Sequence, residues 1–254
     1  MRIPAVTVSQ MRAVDRLMGE FGIDLLQMME NAGRALAAQA RGMLGGTVHG
    51  GRIAVLAGRG ANGGGGLAAA RRLAIWGADV LVLASGPREA LGGAPLRQWE
   101  ALERMQVPIQ PIATSGPAEL MMRLGHFDLL IDALIGYGLH GAPRGVEADL
   151  IAAVNGADSP VLALDIPSGL NADTGLPERP TIRATVTLTL ALPKTGLVQP
   201  SAQEWVGQLY VADISIPAAV WRRVGIDIEP IFARLEVIPM APPVDTLTGA
   251  AGDV

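Results

Sequence analysis

Four polar residues stand in this chain where apolar runs give way to turns, and together they could hold a cation or move a proton. Asp132 lies near the end of Leu129-Leu-Ile-Asp-Ala-Leu, and Asp165 ends Leu162-Ala-Leu-Asp. Ser168 follows two residues after Ile166, on a turn that Pro167 stiffens. Asn62 sits in Gly58-Arg-Gly-Ala-Asn-Gly-Gly-Gly-Gly66, directly after the run Arg52–Ala57. A carboxylate inside an apolar strand is costly unless it is paired, coordinated or hydrogen-bonded. Carboxylate, amide oxygen and hydroxyl make a hard-oxygen set that suits an alkali or alkaline-earth cation, not zinc. Asp165 can instead serve as a general acid or base. Blander roles stay open: Asp132 as a loop-tying aspartate, Asn62 as a turn former that tolerates left-handed backbone.

Gly58, Gly60 and Gly63 satisfy G-x-G-x-x-G between a predicted strand and a predicted helix. Such a turn lets backbone N–H groups approach phosphate at a helix N-terminus. A conventional dinucleotide site also wants an acid at the end of the next strand, for a ribose hydroxyl. Here that strand ends Ala84-Ser85-Gly86, which argues against an ordinary NAD or FAD cofactor site. A tight glycine turn with no ligand is the alternative. Lys194, in Leu192-Pro-Lys-Thr-Gly196, is either a phosphate or carboxylate partner or a solvated loop lysine. Other chemistries fit worse. His49, His126 and His140 lack metal-ligand spacing, no G-x-S-x-G elbow is present, and neither Tyr137 nor Tyr210 is followed by Lys three or four positions on.

Two N-terminal helices and an alternation of strands and helices must position these groups. Ser9 is expected to cap a first helix to about Met18. Asp24 should cap a second, with Gln27 as capping-box partner and Ile23 and Met28 as a staple. Asn31, Ala32 and Gly33 form a small patch suited to close approach of another backbone. Strands are expected at 52–57, 79–84, 107–112, 128–134, 161–164, 185–190 and 208–212, and helices at 64–76, 96–105, 118–124 and 147–154. Near-continuous apolar strands alternating with helices indicate a mainly parallel sheet covered on both faces. In such sheets ligands bind beyond the carboxyl ends of the strands, so the glycine segment and the Asp165–Ser168 turn are expected to wall one crevice.

The chain has 254 residues, half of them apolar, and a formal charge of −4. This suits one globular domain over residues 1–240, with 241–254 read as a mobile tail rich in Pro, Gly, Ala and Thr. No long basic run offers a nucleic-acid or anionic-membrane footprint. With no cysteine, disulfides, thiolate metal sites and a cysteine nucleophile are excluded. Neither a signal-peptide pattern nor an apolar run of ~18 residues is present, so a cytoplasmic location is expected.

Met28-Met-Glu-Asn-Ala-Gly33, the glycine segment, Asp132-Ala-Leu-Ile-Gly-Tyr-Gly138, Leu164-Asp-Ile-Pro-Ser-Gly169 with Asp173-Thr-Gly175, and Ala191-Leu-Pro-Lys-Thr-Gly196 occur in the order of the YjeF amino-terminal domain family, which this chain resembles over about residues 5–220. Enzymes of that family are NAD(P)H-hydrate epimerases. The resemblance implies a single-domain, Rossmann-like three-layer α/β/α sandwich, often a homodimer, that acts on hydrated NADH or NADPH. It implies a potassium ion on Asn62, Asp132 and Ser168. Substrate contacts would map to Gly60, Ala61, Asn62, Gly63, Gly64 and Gly65, to Gly136, Tyr137, Gly138, Leu139, His140, Gly141 and Ala142, and to Asp165. Asp165 would be the catalytic acid/base, with Lys194 as an electrostatic helper. One departure matters: the family segment usually reads Asn-Asn-Gly-Gly-Asp-Gly, so Ala61 and Gly65 replace an amide and a carboxylate. A degenerate member that binds a nucleotide or a protein partner without catalysis is the rival reading.

Overall fold

The computed structural model describes residues 3–112 and 117–241. Most of the expected tail, residues 242–254, lies outside the described residues. The chain opens with α1 (Val8–Glu20) and α2 (Leu25–Met43). It continues β1 (Arg52–Ala57), α3 (Ala61–Ile75), β2 (Asp79–Ala84), α4 (Gly93–Arg104), β3 (Ile109–Pro111), α5 (Pro117–Leu124), β4 (Leu129–Ala133), α6 (Val146–Asn155), β5 (Val161–Leu164) and β6 (Val186–Leu190). The short α7 (Gln203–Val206), β7 (Gln208–Ala212), α8 (Ala218–Arg223) and β8 (Val237–Pro239) complete it.

The eight-stranded sheet has the order β3-β2-β1-β4-β5-β6-β7-β8. Every pairing is parallel except β7 with β8. The first six strands thus have the Rossmann order, which reverses direction between β1 and β4. Period-two alternation decides which core each strand residue enters. Val55, Ile131 and Leu164 pack with Leu36, Leu67 and Trp99 under α2, α3 and α4. Leu56, Leu130 and Ala163 pack with Leu120, Leu150 and Val154 under α5 and α6. The result is the three-layer sandwich with two N-terminal helices expected from the sequence.

Local signals explain the helix starts, with two corrections. Thr7, not Ser9, caps α1: its hydroxyl accepts from the Gln10 N–H, and the Gln10 side chain accepts from the Thr7 N–H at 2.9 Å. Asp24 and Gln27 form the expected capping box on α2. The second correction is that α3 begins at Ala61, three residues early, so Gly63–Gly66 are helical. Four glycines suit a helix poorly on propensity alone. Packing overrides propensity here, because a Cβ at Gly63 would lie 1.8 Å from the Gly58 carbonyl oxygen and one at Gly66 2.5 Å from Ala133 Cβ. Gly33 does the same for α2, since its Cβ would meet Ala68 Cβ at 2.5 Å. Glu30 locks these helices together by accepting from Arg72 at 2.9 Å and Gln98 at 2.7 Å, and from Arg71. Burial alone would raise its pKa, but those hydrogen bonds hold it below the ordinary glutamate value.

Candidate active site

The carboxyl ends of β1, β4, β5 and β6 open into a cavity of about 760 Å³, roofed by α1 and α2. That volume suits a small-molecule ligand. Met11, Leu25, Met28, Met29 and Ala32 form its apolar wall, while Asp15, Arg59, Asn62, Tyr137, Asp165 and Lys194 bring polar groups to it.

Asp165 follows β5 directly, and its backbone adopts a left-handed conformation with φ 67°. This is rare for a non-glycine residue, and Asp is among those that tolerate it best. The turn aims the carboxylate at β6, where Oδ1 accepts from the Leu190 N–H at 3.2 Å and the Thr189 hydroxyl at 3.3 Å. Lys194 donates to the same oxygen and to the Leu190 carbonyl at 3.0 Å. Asp165 is 4% exposed and Lys194 fully buried. Lys194 is therefore no solvated loop lysine; it is half of a buried ion pair at the cavity edge.

Asp132 and Ser168 meet just beneath this floor. The Ser168 hydroxyl donates to Asp132 Oδ1 at 2.6 Å, and its N–H donates to Oδ2 at 2.8 Å. The hydroxyl also accepts from the Ile135 N–H at 2.9 Å. Both side chains are completely buried and neither lines the cavity. Burial pushes the Asp132 carboxyl up to about 6, against the pull of the Ser168 and Leu134 hydrogen bonds. Asn62, on the first turn of α3, lies against Gly136, one residue from the backbone that Ser168 grips. Its buried Nδ2 has no hydrogen-bond partner. Amide nitrogen and oxygen are assigned by partners alone. With the amide turned so that its oxygen takes the unpartnered place, Asn62 would offer an alkali cation a neutral oxygen, and Asp132 is a carboxylate with no cationic partner among the described residues. Among the described residues no three His, Cys, Asp or Glu side chains cluster as a metal site.

Of the glycine segment, Gly60, Ala61, Asn62 and Gly65 line the cavity, whereas Gly63 and Gly64 are packed inside. Open space lies over Gly60, and a Cβ at Gly58 would lie 1.9 Å from the Leu134 carbonyl oxygen. The three motif glycines thus divide into a tight turn, an open approach and a helix-packing contact, as in dinucleotide folds. Gly136, Tyr137, Gly138, Leu139, His140 and Ala142 line the cavity, and Gly141 does not. Sequence reasoning missed Asp15, whose carboxylate accepts a hydrogen bond from the Tyr137 hydroxyl. On an amphipathic helix it reads as one more solvated polar position.

A family model described as YjeF-related protein N-terminus matches residues 25–196. The chain belongs to this family. It is 43% identical over 229 residues to the NAD(P)H-hydrate epimerase of Dehalogenimonas lykanthroporepellens, covering 88% of this chain and 87% of that protein. To the NAD(P)H-hydrate epimerase of Rhodopirellula baltica it is 33% identical over 227 residues, covering 89% and 90%. Hyperthermus butylicus has a relative named bifunctional NAD(P)H-hydrate repair enzyme Nnr, 38% identical over 214 residues; the match covers 84% of this chain but 38% of that longer protein. The crystal structure of yeast YNL200c has the same fold, with a TM-score of 0.77 at 23% identity over 94% of this chain and all of that one. Against the usual family segment, the position of Gly65 is filled here from the other side: a Cβ there would lie 2.8 Å from Leu164 Cδ2. No helix among the described residues is long and apolar enough to cross a membrane.

Proposed function

We propose that the chain interconverts the R and S epimers of hydrated NADH and NADPH at the hydroxylated carbon of the nicotinamide ring. The observation that carries this reading is the buried Asp165–Lys194 ion pair at the edge of a cavity that the N-terminus of α3 and the 136–142 segment also line. The names of the relatives that the chain matches over nearly its whole length support it. In this reading the first N–H groups of α3 and the bare backbone at Gly60 bind the pyrophosphate. The apolar wall of Met11, Met28 and Met29 excludes water from the ring. Asp165 moves the proton at the ring hydroxyl, and Lys194 holds its carboxylate in place. Asn62, Asp132 and Ser168 would hold a potassium ion, whose charge favours the negatively charged substrate and fixes the 136–142 backbone. A homodimer in the cytoplasm belongs to the same reading, and sedimentation velocity tests the assembly.

The test is chromatographic separation of the two hydrate epimers over time. The wild-type chain should speed exchange above the uncatalysed rate, and Asp165→Asn should lower turnover by about 100-fold or more. Near-normal turnover in that variant removes Asp165 from the mechanism. Ala61 and Gly65 favour one rival, a non-catalytic nucleotide binder. Tight nucleotide binding without exchange would establish it.

A further inference from the structure

We propose that Asp15, hydrogen-bonded by Tyr137, is a second proton-handling group of the cavity, which protonates the departing hydroxyl while the Asp165–Lys194 pair takes a proton from the incoming water. The inference rests on the epimerase reading. Water adds to an enamine at the carbon beside nitrogen, so the ring hydroxyl of a hydrate sits next to the ring nitrogen. To invert that carbon, the nitrogen lone pair forms C=N as the C–O bond breaks, and the departing oxygen takes a proton and leaves as water. A water then adds to the opposite face, the C=N electron pair returns to nitrogen, and the new oxygen gives up a proton. One proton is given and one taken on opposite faces of a flat ring. A single fixed side chain serves both poorly, because proton transfer needs hydrogen-bond reach of each oxygen.

Of the three acids that line the cavity, Glu147 is paired with Arg59 at 3.9 Å, which leaves Asp15 and Asp165 to divide the task. Asp165 comes from the end of β5, and Asp15 from α1, a helix that precedes the family match at residue 25. Tyr137, on the segment after β4, donates to Asp15, and its ring centroid lies 5.9 Å from the Lys194 ammonium, so both pairs share one chamber. Arg12 holds the same segment to α1 through a 3.3 Å contact with His140. Asp15 keeps exposed surface, while protein on its other sides raises its pKa by desolvation; the Tyr137 hydrogen bond and the Lys194 and Arg16 charges oppose this and Asp165 adds to it. Burial and the Asp15 carboxylate both raise the Tyr137 phenol, which stays a fixed donor. The Asp165 pair carries its own ammonium; the Asp15 pair carries none, and is the better proton donor.

The experiment compares Asp15→Asn and Tyr137→Phe with the wild type by pH profiles of kcat for epimer exchange, KM and thermal unfolding. Asparagine keeps the shape and an acceptor for Tyr137. Asp15→Asn should lower kcat by about 100-fold with KM and melting temperature retained, and should abolish the alkaline fall in kcat. Tyr137→Phe removes a hydrogen bond that lowers the Asp15 pKa, so its alkaline fall should move to higher pH. If Asp15→Asn loses its thermal transition, that shift decides: present, the inference stands; absent, it falls. A wild-type chain that exchanges epimers beside an Asp15→Asn variant of equal rate and unchanged profile overturns this inference alone. A wild-type chain without exchange overturns the epimerase reading, and this inference with it.

Discussion

Asp165 and Lys194 show how much a single ion pair can demand of its surroundings. The carboxylate is held by a left-handed residue, and the ammonium has Thr189 and the Leu190 carbonyl as its other partners. Removing one partner of a buried pair strands the other charge, whereas removing both can be far less damaging. Lys194→Met keeps most of the side-chain volume and should lower unfolding free energy by about 3–5 kcal/mol in urea. The double variant Asp165→Asn/Lys194→Met should be more stable than Lys194→Met alone, a non-additivity expected only of groups in contact. Additive losses would mean that the pair is not energetically coupled. Asn at 165 tolerates the same backbone geometry but leaves the buried Lys194 charge without its partner, so turnover of that variant is read beside its unfolding free energy.

At the scale of elements, the glycines of α3 separate packing from binding. Gly63→Ala must drive a methyl into the Gly58 backbone, which no rotamer relieves, and should cost more than about 3 kcal/mol by thermal or chemical unfolding. Gly60→Ala has open space and an extended φ of −95°, and should cost about 1 kcal/mol as a poorer N-cap. Its new methyl faces the cavity, so it should raise KM for the hydrate instead. Reversal of that pattern would mean that the two glycines have been assigned the wrong roles. The same helix shows why some of the fold was legible and some was not. The strands 52–57, 79–84, 161–164 and 208–212 have the bounds expected from the sequence, each built on an apolar run that three of them enter through one polar residue. The start of α3 was hidden because glycine content reads as loop, and only its neighbours reveal that a Cβ would not fit. Thr7-x-x-Gln10 is a capping box legible in the sequence, two residues before the equally plausible Ser9. The three-residue β8 ends in proline and carries no periodic signal, so only its antiparallel pairing with β7 defines it. Asp132, Asp165 and Ser168 stood out because acids at strand ends are conspicuous; Asp15 did not, because α1 must be folded over the 136–142 segment before it meets Tyr137.

Across the whole molecule, the reversal of strand order between β1 and β4 makes one crevice, and the residues beneath it tie stability to solution conditions. Asp132 is fully buried, and among the described residues no cationic side chain pairs with it. Its carboxyl rises from 3.8 in the free residue to about 6 in the folded chain. Between those values the native state holds a proton that the unfolded chain releases. The contribution of Asp132 is therefore present below about pH 4 and lost as pH rises through about 6, by roughly 3 kcal/mol in all. A potassium ion held by Asn62, Asp132 and Ser168 would bind the ionised form and offset that loss, since a ligand bound only by the native state stabilises it by mass action. Unfolding free energy measured against pH in a buffer whose only cation is tetramethylammonium should fall between about pH 4 and pH 6 and level off above. In saturating potassium the fall should flatten, and in Asp132→Asn the difference between the two salts should vanish. Equal slopes in both salts for the wild-type chain would leave the buried carboxylate without its cation, and would make Ser168 and the Leu134 amide its only compensation.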